Sequence, residues 1–175
     1  MKSIKHTNII VSRYAAPVGQ LDIYSIDKAI CYINFASAHD DGYVQRWIAR
    51  YFPHSELTED QAAHQAFHKE LTEYFAKKRK RFLSKIHLVG TDFQLQVWTA
   101  LRTIPYGETT SYRSIAILIG NPKATRAVGG AIGKNPVSIV VPCHRVIGEN
   151  GNLVGFGGGI ENKKKLLLLE GALIV

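Results

Sequence analysis

Cysteine is scarce in this chain of 175 residues: Cys31 and Cys143 could form one disulfide at most. No apolar run approaches the roughly 18 residues that a membrane-spanning helix needs. The first six residues, MKSIKH, are polar and lack the apolar stretch of a secretory signal. These absences argue against a disulfide-stapled secreted domain. They predict a cytoplasmic protein, without membrane association, whose thiols stay reduced.

Acidic residues are few, and they are missing where basic residues cluster. The chain has 22 Lys and Arg against 14 Asp and Glu, for a net charge of +8, and residues 109–148 contain no acidic residue at all. An acid-free basic segment suits a polyanion such as nucleic acid, although many basic proteins simply have solvated charged faces. With 46% apolar residues, the chain can bury a real core in one domain or two small ones.

The first half of the chain shows strand-like and then helix-like patterns. Apolar alternation predicts strands near residues 8–14, 20–25 and 29–35, which would form a small antiparallel sheet. Helices should follow over residues 43–51 and from a capping box at Thr58 and Gln61. His64 and His68 have the spacing of two metal ligands but no third ligand follows, so a solvated helix face is favoured and no metal is expected.

Residues 84–90 resemble a linker, which would divide the chain into domains 1–88 and 89–175. The second domain opens on a capping box at Thr91 and Gln94. Two short helices should follow, one capped by Ser111 and stopped by Gly120, the other opening at Asn121 and running to residue 132. This outline is typical of a helix-turn-helix, but any pair of packed helices would share it.

The second of these helices contains two interior glycines, Gly129 and Gly130. Each costs a helix about 1 kcal/mol relative to alanine, so something must require a smooth helix face. Two explanations remain open at this point. The face could let the helix backbone approach a partner, with Arg126 projecting toward a groove, or it could allow close packing of two helices.

The most informative stretch is Cys143 with His144 and Arg145, which follow an apolar run. A free thiol with a pKa near 8.5 is largely protonated at neutral pH, and an adjacent imidazole or cation raises the thiolate fraction. Cys143 is therefore the candidate nucleophile, and His144 its base, either directly if the backbone turns at Pro142 or through a water. Glu170 ends a leucine-rich helix where the dipole disfavours an anion, so it is either the partner that orients His144 or a frayed surface glutamate. An inert buried thiol is the alternative.

The glycine-rich segment at residues 155–159 does not have the spacing or the strand-to-helix setting of a dinucleotide-binding loop, so no nucleotide cofactor is expected. A loop of this kind beside a nucleophile favours close approach of its backbone to a planar ligand. A plain flexible linker would have the same composition.

Four motifs carry a resemblance to a known family: PCHRV, GNPKATRAVGGAIGKNP, the FQ…VW helix and the late LLEG. Through them the chain resembles the O6-alkylguanine-DNA alkyltransferases over residues 91–171. The resemblance implies an α+β protein, with a small ribonuclease-H-like sheet-and-helix domain before a mostly helical winged-helix or helix-turn-helix domain that carries the active-site cysteine. It also implies direct-reversal DNA repair by one irreversible transfer of an alkyl group from O6-alkylguanine, and also from O4-alkylthymine, to Cys143. Double-stranded DNA would be the partner, with no cofactor, and the protein would act as a monomer without an obligatory protein partner.

The same resemblance implies the roles of individual residues. Cys143 would accept the alkyl group, with His144 as a base acting through a bound water and Glu170 orienting it. Asn135 would be a hinge that ties the helix-turn-helix to the active-site strand. Tyr112 would protonate guanine N3 and rotate the phosphate of the flipped nucleotide.

Arg126 would fill the space left in the base stack when the nucleotide flips out through the minor groove. Ala127, Gly130 and Ala131 would form the helix face pressed into that groove. The residues implied for the base pocket are Val154, Gly155, Phe156, Gly157 and Ser138. Phe156 stands where many family members carry Tyr, which removes a hydroxyl near the flipped base and predicts softer discrimination between substrates. Because Cys31 is the only other cysteine, neither the structural zinc of some members nor a Cys-rich domain for phosphotriester repair is expected.

Two other functions compete with this prediction. A Cys-His-Glu hydrolase or acyltransferase would turn over many times, whereas an alkyltransferase reacts once. A DNA-binding protein without chemistry, like the alkyltransferase-like proteins, would lack the acceptor cysteine, and Cys143 is present.

Overall fold

The computed structural model describes residues 7–36 and 42–172. In this part of the chain four strands form one sheet in the order β3-β2-β1-β4. They are β1 (Thr7–Ala16), β2 (Gly19–Ile26), β3 (Ala29–Phe35) and β4 (Ser55–Glu59). The first three strands are antiparallel, as predicted, but β4 pairs parallel with β1 and makes the sheet mixed. Helix α1 (Tyr43–Tyr51) connects β3 to β4.

The capping box predicted at Thr58 and Gln61 is wrong. Thr58 lies in β4, where its hydroxyl donates to Asn8 Oδ1 at 2.9 Å. The side chain of Gln61 bonds both backbone groups of Arg13, at 2.7 Å each. Asp60 accepts the backbone N–H groups that open the next turn. Thr58 and Gln61 therefore help to hold the segment at β4 against β1. Residue spacing within one segment cannot predict such a long-range contact.

His64 and His68 do not lie on a solvated face. Ser12 Oγ is 2.6 Å from His64 Nδ1 and 2.9 Å from His68 Nε2, and Ser25 Oγ is 2.7 Å from His64 Nε2. The two histidines thus fasten helix α2 (Gln65–Phe75) to strands β1 and β2. Among residues 7–36 and 42–172, no group of three or more His, Cys, Asp or Glu could hold a metal ion.

The second half is mostly helical. Its elements are α3 (Asp92–Leu101), β5 (Thr110–Ser111), α4 (Tyr112–Leu118), α5 (Thr125–Ile132), a 3-10 turn at Cys143–Arg145, β6 (Val146–Ile147) and α6 (Ile160–Glu170). The capping box at Thr91 and Gln94 and the cap at Ser111 are confirmed. Helix α5 begins at Thr125 rather than Asn121, because residues 121–124 form a turn closed by a bond from Ala124 N to Asn121 O.

One large apolar core joins the sheet to the second half, with Leu21 and Leu71 in the same buried cluster as Trp98 and Leu166. The expected linker at 84–90 is tied to β3, since Ile30 N donates to Lys85 O and His87 N donates to Ile30 O, both at 2.8 Å. Ile33 N donates to Pro136 O at 2.8 Å, which places the segment before the active-site turn against β3. No helix in the described ranges is both long and apolar enough to cross a membrane.

Candidate active site

The backbone does turn at the candidate nucleophile. Residues 139–140 form a turn, with Val141 N donating to Val137 O at 2.9 Å, rather than a strand that runs into the site. After Pro142, Cys143–Arg145 form a 3-10 turn in which Arg145 N donates to Pro142 O at 3.0 Å. Just upstream, Ile139 has a φ of +75°, a conformation that a β-branched residue rarely adopts. A strained residue next to a buried turn is typical of a segment whose shape is imposed by its function.

Asn135 holds this turn from the end of α5. Its amide nitrogen Nδ2 donates to Val141 O at 2.8 Å and to Cys143 Sγ at 3.1 Å. Its Oδ1 accepts from Val137 N at 3.1 Å. Ser138 Oγ lies 3.9 Å from the same sulfur. One amide thus fixes the position of the thiol relative to the end of α5.

The thiol of Cys143 is only 4% exposed, and burial raises its pKa more than the hydrogen bonds from Asn135 and Ser138 lower it. The expectation that Arg145 would help to form a thiolate is wrong. Arg145 turns away and pairs with Glu170, with Nε to Oε2 at 2.8 Å and Nη2 to Oε1 at 2.9 Å. The resting thiol is therefore protonated and needs a base.

His144 is fully buried beside Cys143, and its Nε2 lies 2.9 Å from Glu170 Oε1. A carboxylate only accepts hydrogen bonds, so Nε2 carries the proton and Nδ1 has the free lone pair. Burial lowers the pKa of His144, although Glu170 acts in the opposite direction. The imidazole is therefore neutral at neutral pH, which is the form that can accept a proton.

Glu170 accepts hydrogen bonds from three side chains at the end of α6, and more weakly from Gly107 N at 3.4 Å. Besides His144 and Arg145, the hydroxyl of Tyr74 donates to Oε1 at 2.6 Å. Burial alone would raise the pKa of Glu170, but the hydrogen bonds from His144 and Arg145 outweigh it and hold that pKa well below its usual range. Glu170 is thus a fixed anion, which explains how a carboxylate can sit at a helix C-terminus.

Lys163 was not predicted as part of the site, yet it is fully buried against it. Its Nζ donates to Val146 O and Val154 O at 2.6 Å each, and more weakly to Gly155 O at 3.5 Å. Burial lowers the pKa of Lys163 to about 8, while Cys143 acts in the opposite direction. The ammonium group therefore joins the strand after the nucleophile to the glycine-rich loop.

The sequence did contain a signal for Lys163. Lys163, Leu166, Leu167 and Glu170 are spaced i, i+3, i+4 and i+7, and all four are buried on one face of α6. The two charged residues thus share a stripe with the two buried leucines. Leu168 lies off this face and is 38% exposed.

The residues implied for the base pocket lie on two segments: Ser138 is 3.9 Å from the thiol, and residues 154–157 belong to the glycine-rich loop. Val154 and Gly157 are exposed, Gly155 has a φ of +54°, and Phe156 is half-buried. The ring of Phe156 packs edge-on against Phe35 of β3, with centroids 5.5 Å apart.

Gly158 makes this packing possible, since a Cβ there would lie 2.8 Å from Phe156 and 2.9 Å from Phe35. The contact is too close for any other residue. The end of β3 thus supports the loop from the first half of the chain.

Tyr112, at the start of α4, closes the other side. Its hydroxyl donates to Val154 O at 2.9 Å, and Lys163 Nζ lies 6.0 Å from its ring centroid. Burial raises the pKa of Tyr112, and charge on Cys143 adds to this. The phenol therefore keeps its proton near the thiol.

Helix α5 presents Arg126, Ala127 and Gly130 at its surface, as predicted for a contact face. A Cβ added at Gly130 would have no atom within 4 Å, so packing inside the protein does not require glycine there. Ala131 differs from the expectation: it is 4% exposed, and its carbonyl accepts a bond from Trp98 Nε1 at 2.9 Å. The smooth face is therefore turned outward, on a helix anchored by Trp98.

Comparison with known protein families gives a match over residues 92–172 to the DNA-binding domain of 6-O-methylguanine DNA methyltransferase. An inducible methylated-DNA–protein-cysteine methyltransferase of Bacillus subtilis is 53% identical over 124 residues, which cover 71% of this chain and 69% of that protein. A methylated-DNA–protein-cysteine methyltransferase of Methanosarcina acetivorans is 42% identical over 160 residues, covering 91% of this chain and 96% of the other.

Solved structures give the same relationship across nearly the whole chain. The O6-methylguanine methyltransferase of Mycobacterium tuberculosis superimposes with a TM-score of 0.80 at 40% identity, covering 95% of this chain and 93% of that one. The M. tuberculosis OGT solved in complex with DNA gives 0.80 at 39% identity, with 94% and 93% covered. An α+β fold with a mixed sheet and several helices is therefore shared with these proteins.

Proposed function

The chain belongs to the methylated-DNA–protein-cysteine methyltransferase family, and on that premise we propose how its own residues transfer an alkyl group from DNA to a cysteine. The observation that carries the proposal is the buried thiol of Cys143, which is next in the chain to a neutral His144 held by Glu170 at 2.9 Å. This arrangement joins a nucleophile to a base whose second nitrogen is already oriented.

The reaction begins with loss of the thiol proton. His144 accepts it at Nδ1, through a water, while Nε2 stays bonded to Glu170, whose negative charge stabilises the imidazolium. The sulfur attacks the alkyl carbon on O6 of guanine. The S–C bond forms as the C–O6 bond breaks, and the electron pair of the broken bond stays on guanine.

Guanine then needs a proton, which we propose that Tyr112 supplies. Its raised pKa keeps the phenol protonated, and its present acceptor is only the carbonyl of Val154. We assign to Tyr112 the protonation of guanine N3 and the rotation of the phosphate. The proton held by His144 returns to Tyr112 through solvent, so the transfer is neutral overall. The thioether left on Cys143 is a poor leaving group, which makes the event single and irreversible.

The DNA contacts fall to α5 in this proposal. O6 of a paired guanine cannot enter a pocket, so the nucleotide must flip out at a cost of a few kcal/mol. Arg126 is exposed on α5 and would fill the vacated stack, with Ala127 and Gly130 against the minor groove. Asn135 would act as the hinge between this helix and Cys143, which the two hydrogen bonds donated by its Nδ2 support.

The flipped base would lie against Val154, Gly155, Phe156, Gly157 and Ser138, with Phe156 in place of a hydroxyl-bearing Tyr. We propose the division into a ribonuclease-H-like unit at 1–88 and a winged-helix or helix-turn-helix unit at 89–175. The sheet in the first range and α4 with α5 in the second support this division.

O4-alkylthymine belongs to the proposed substrates as well. We propose that the protein acts as a monomer in the cytoplasm, without a cofactor or an obligatory protein partner. Both cysteines are free, as a reducing compartment would keep them.

Intact-mass spectrometry after incubation with duplex DNA containing O6-methylguanine tests the proposal. The protein should gain one methyl group, and the Cys143→Ser variant should gain none. A hydrolase or acyltransferase would instead turn over esters or amides with no lasting mass change, and that result would remove the alkyltransferase function.

A further inference from the structure

A second concave surface lies outside the alkyl-acceptor site. It is a cavity of about 360 Å³ between α1, α3 and Lys134, which follows α5. We call it the α1 groove. Its lining residues are Tyr43, Arg46, Trp47, Arg50, Tyr51, Val89, Thr91, Gln94, Trp98 and Lys134.

The charge of the α1 groove has one sign. Arg50 and Lys134 are exposed and line it, and none of its described lining residues is acidic. Helix α1 carries no acidic residue over its whole length. Two exposed cations beside a concave surface attract a polyanion more strongly than an apolar or zwitterionic ligand.

The α1 groove is joined to the helix that we assign to DNA. Trp98 lines the groove, and its indole nitrogen donates to Ala131 O of α5 at 2.9 Å, so the groove wall is fixed to that helix. Lys134 is exposed and follows Gly130 by four residues, just beyond the end of α5. A strand that lies along the exposed side of α5 would reach Lys134 next.

We propose that the α1 groove binds the phosphodiester backbone of the duplex flanking the lesion, so that α1 in the first half of the chain extends the DNA contact of α5. The inference rests on the proposed function, which assigns the DNA contact to α5. Arg50 and Lys134 contact phosphates, and the aromatic rings of Trp47 and Tyr51 form the apolar wall beneath them. Arginine and lysine contacts of this kind add affinity without sequence preference, which suits damage that occurs in any sequence.

The test compares two duplexes with the same central lesion, in a Cys143→Ser background that stops the reaction. The short duplex is only long enough to contact α5. The long duplex extends it by one helical turn, roughly 10 base pairs, on each side. The double variant Arg50→Gln, Lys134→Gln is compared with a matched double variant, Lys69→Gln, Lys78→Gln, which removes two exposed cations on and after α2. Thermal unfolding of each variant checks that it folds.

The groove variant should lose most of the affinity gained from the extension, several-fold or more. Its slope of log K against log salt on the long duplex should fall by about 1 for each cation removed. The matched variant should behave like the parent. The inference is overturned if the groove variant binds the long duplex as tightly as the matched variant does. It is also overturned if the groove variant loses the same affinity on both duplexes. Neither outcome contradicts the proposed alkyl transfer. A parent that binds neither duplex would remove the proposed function and the inference together.

Discussion

The hydroxyl of Tyr74 in α2 donates a 2.6 Å hydrogen bond to Oε1 of Glu170 at the end of α6. Both side chains are buried, and the bond joins the first half of the chain to the carboxylate that holds His144. The sheet-and-helix half therefore helps to position the site that the other half carries.

Tyr74→Phe should slow alkyl transfer several-fold, because Glu170 keeps its charge but loses one of the bonds that fix it. Loss of a buried hydrogen bond to a charged group should also lower the free energy of unfolding by about 1.5–3 kcal/mol. Single-turnover kinetics and denaturant unfolding measure the two effects. Tyr106→Phe is the matched control, since that hydroxyl makes only a 3.4 Å bond to Leu169 O. Equal effects of the two variants would contradict the role of Tyr74.

The resting thiol should react slowly. Because burial raises the pKa of Cys143, the thiolate fraction at neutral pH is below that of an ordinary thiol, and it grows only at pH values above the range in which an ordinary thiol ionises. Alkylation of DNA-free protein by iodoacetamide should therefore accelerate steadily with pH. Cys143→Ala should abolish the labelling, since Cys31 is fully buried with its pKa raised to about 12. A rate already at its plateau near neutral pH would show a preformed thiolate.

Arg126→Ala should impair transfer from duplex DNA much more than transfer from a free benzylated guanine base, which needs no flipping. The reason is that the arginine offsets only the cost of unstacking. Transfer rates on the two substrates give the comparison, with Arg113→Ala as an exposed arginine control on α4. Equal losses on both substrates would refute the flipping role.

Gly130→Ala should raise the thermal stability of the protein and weaken its binding to duplex DNA. The added methyl meets no atom within 4 Å, and alanine favours a helix interior over glycine by about 1 kcal/mol, so thermal stability should rise. The same methyl should hinder approach of α5 to DNA and weaken duplex binding. Calorimetry and a binding titration check the two signs. A variant that is more stable and binds DNA as well as the parent would show that no close approach occurs there.

The features that could be predicted from the sequence are those that depend on interactions between nearby residues or on the chemistry of one site. The capping box at Thr91 and Gln94, the cap at Ser111 and the pairing of His144 with Glu170 follow from local rules or from the chemistry of a base that needs an orienting partner. These features are present where they were expected.

The features that differ depend on contacts between distant segments. Thr58 belongs to a strand because β1, far away in the chain, offers it a partner. Arg145 avoids the thiol because Glu170 accepts it, and Ala131 is buried because Trp98 binds its carbonyl. Lys163 could have been found from the periodicity of α6, whereas the contact of Tyr74 with Glu170 had no local signal.

The most direct test of the central claim is the stoichiometry and position of the transferred group. Protein incubated with an excess of duplex DNA containing O6-methylguanine is digested, and the repaired guanine and the modified peptide are both quantified. We predict one guanine restored for each protein molecule, with the methyl group on Cys143 and none on Cys31. More than one guanine restored per protein, or a methyl group found elsewhere in the chain, would contradict the account.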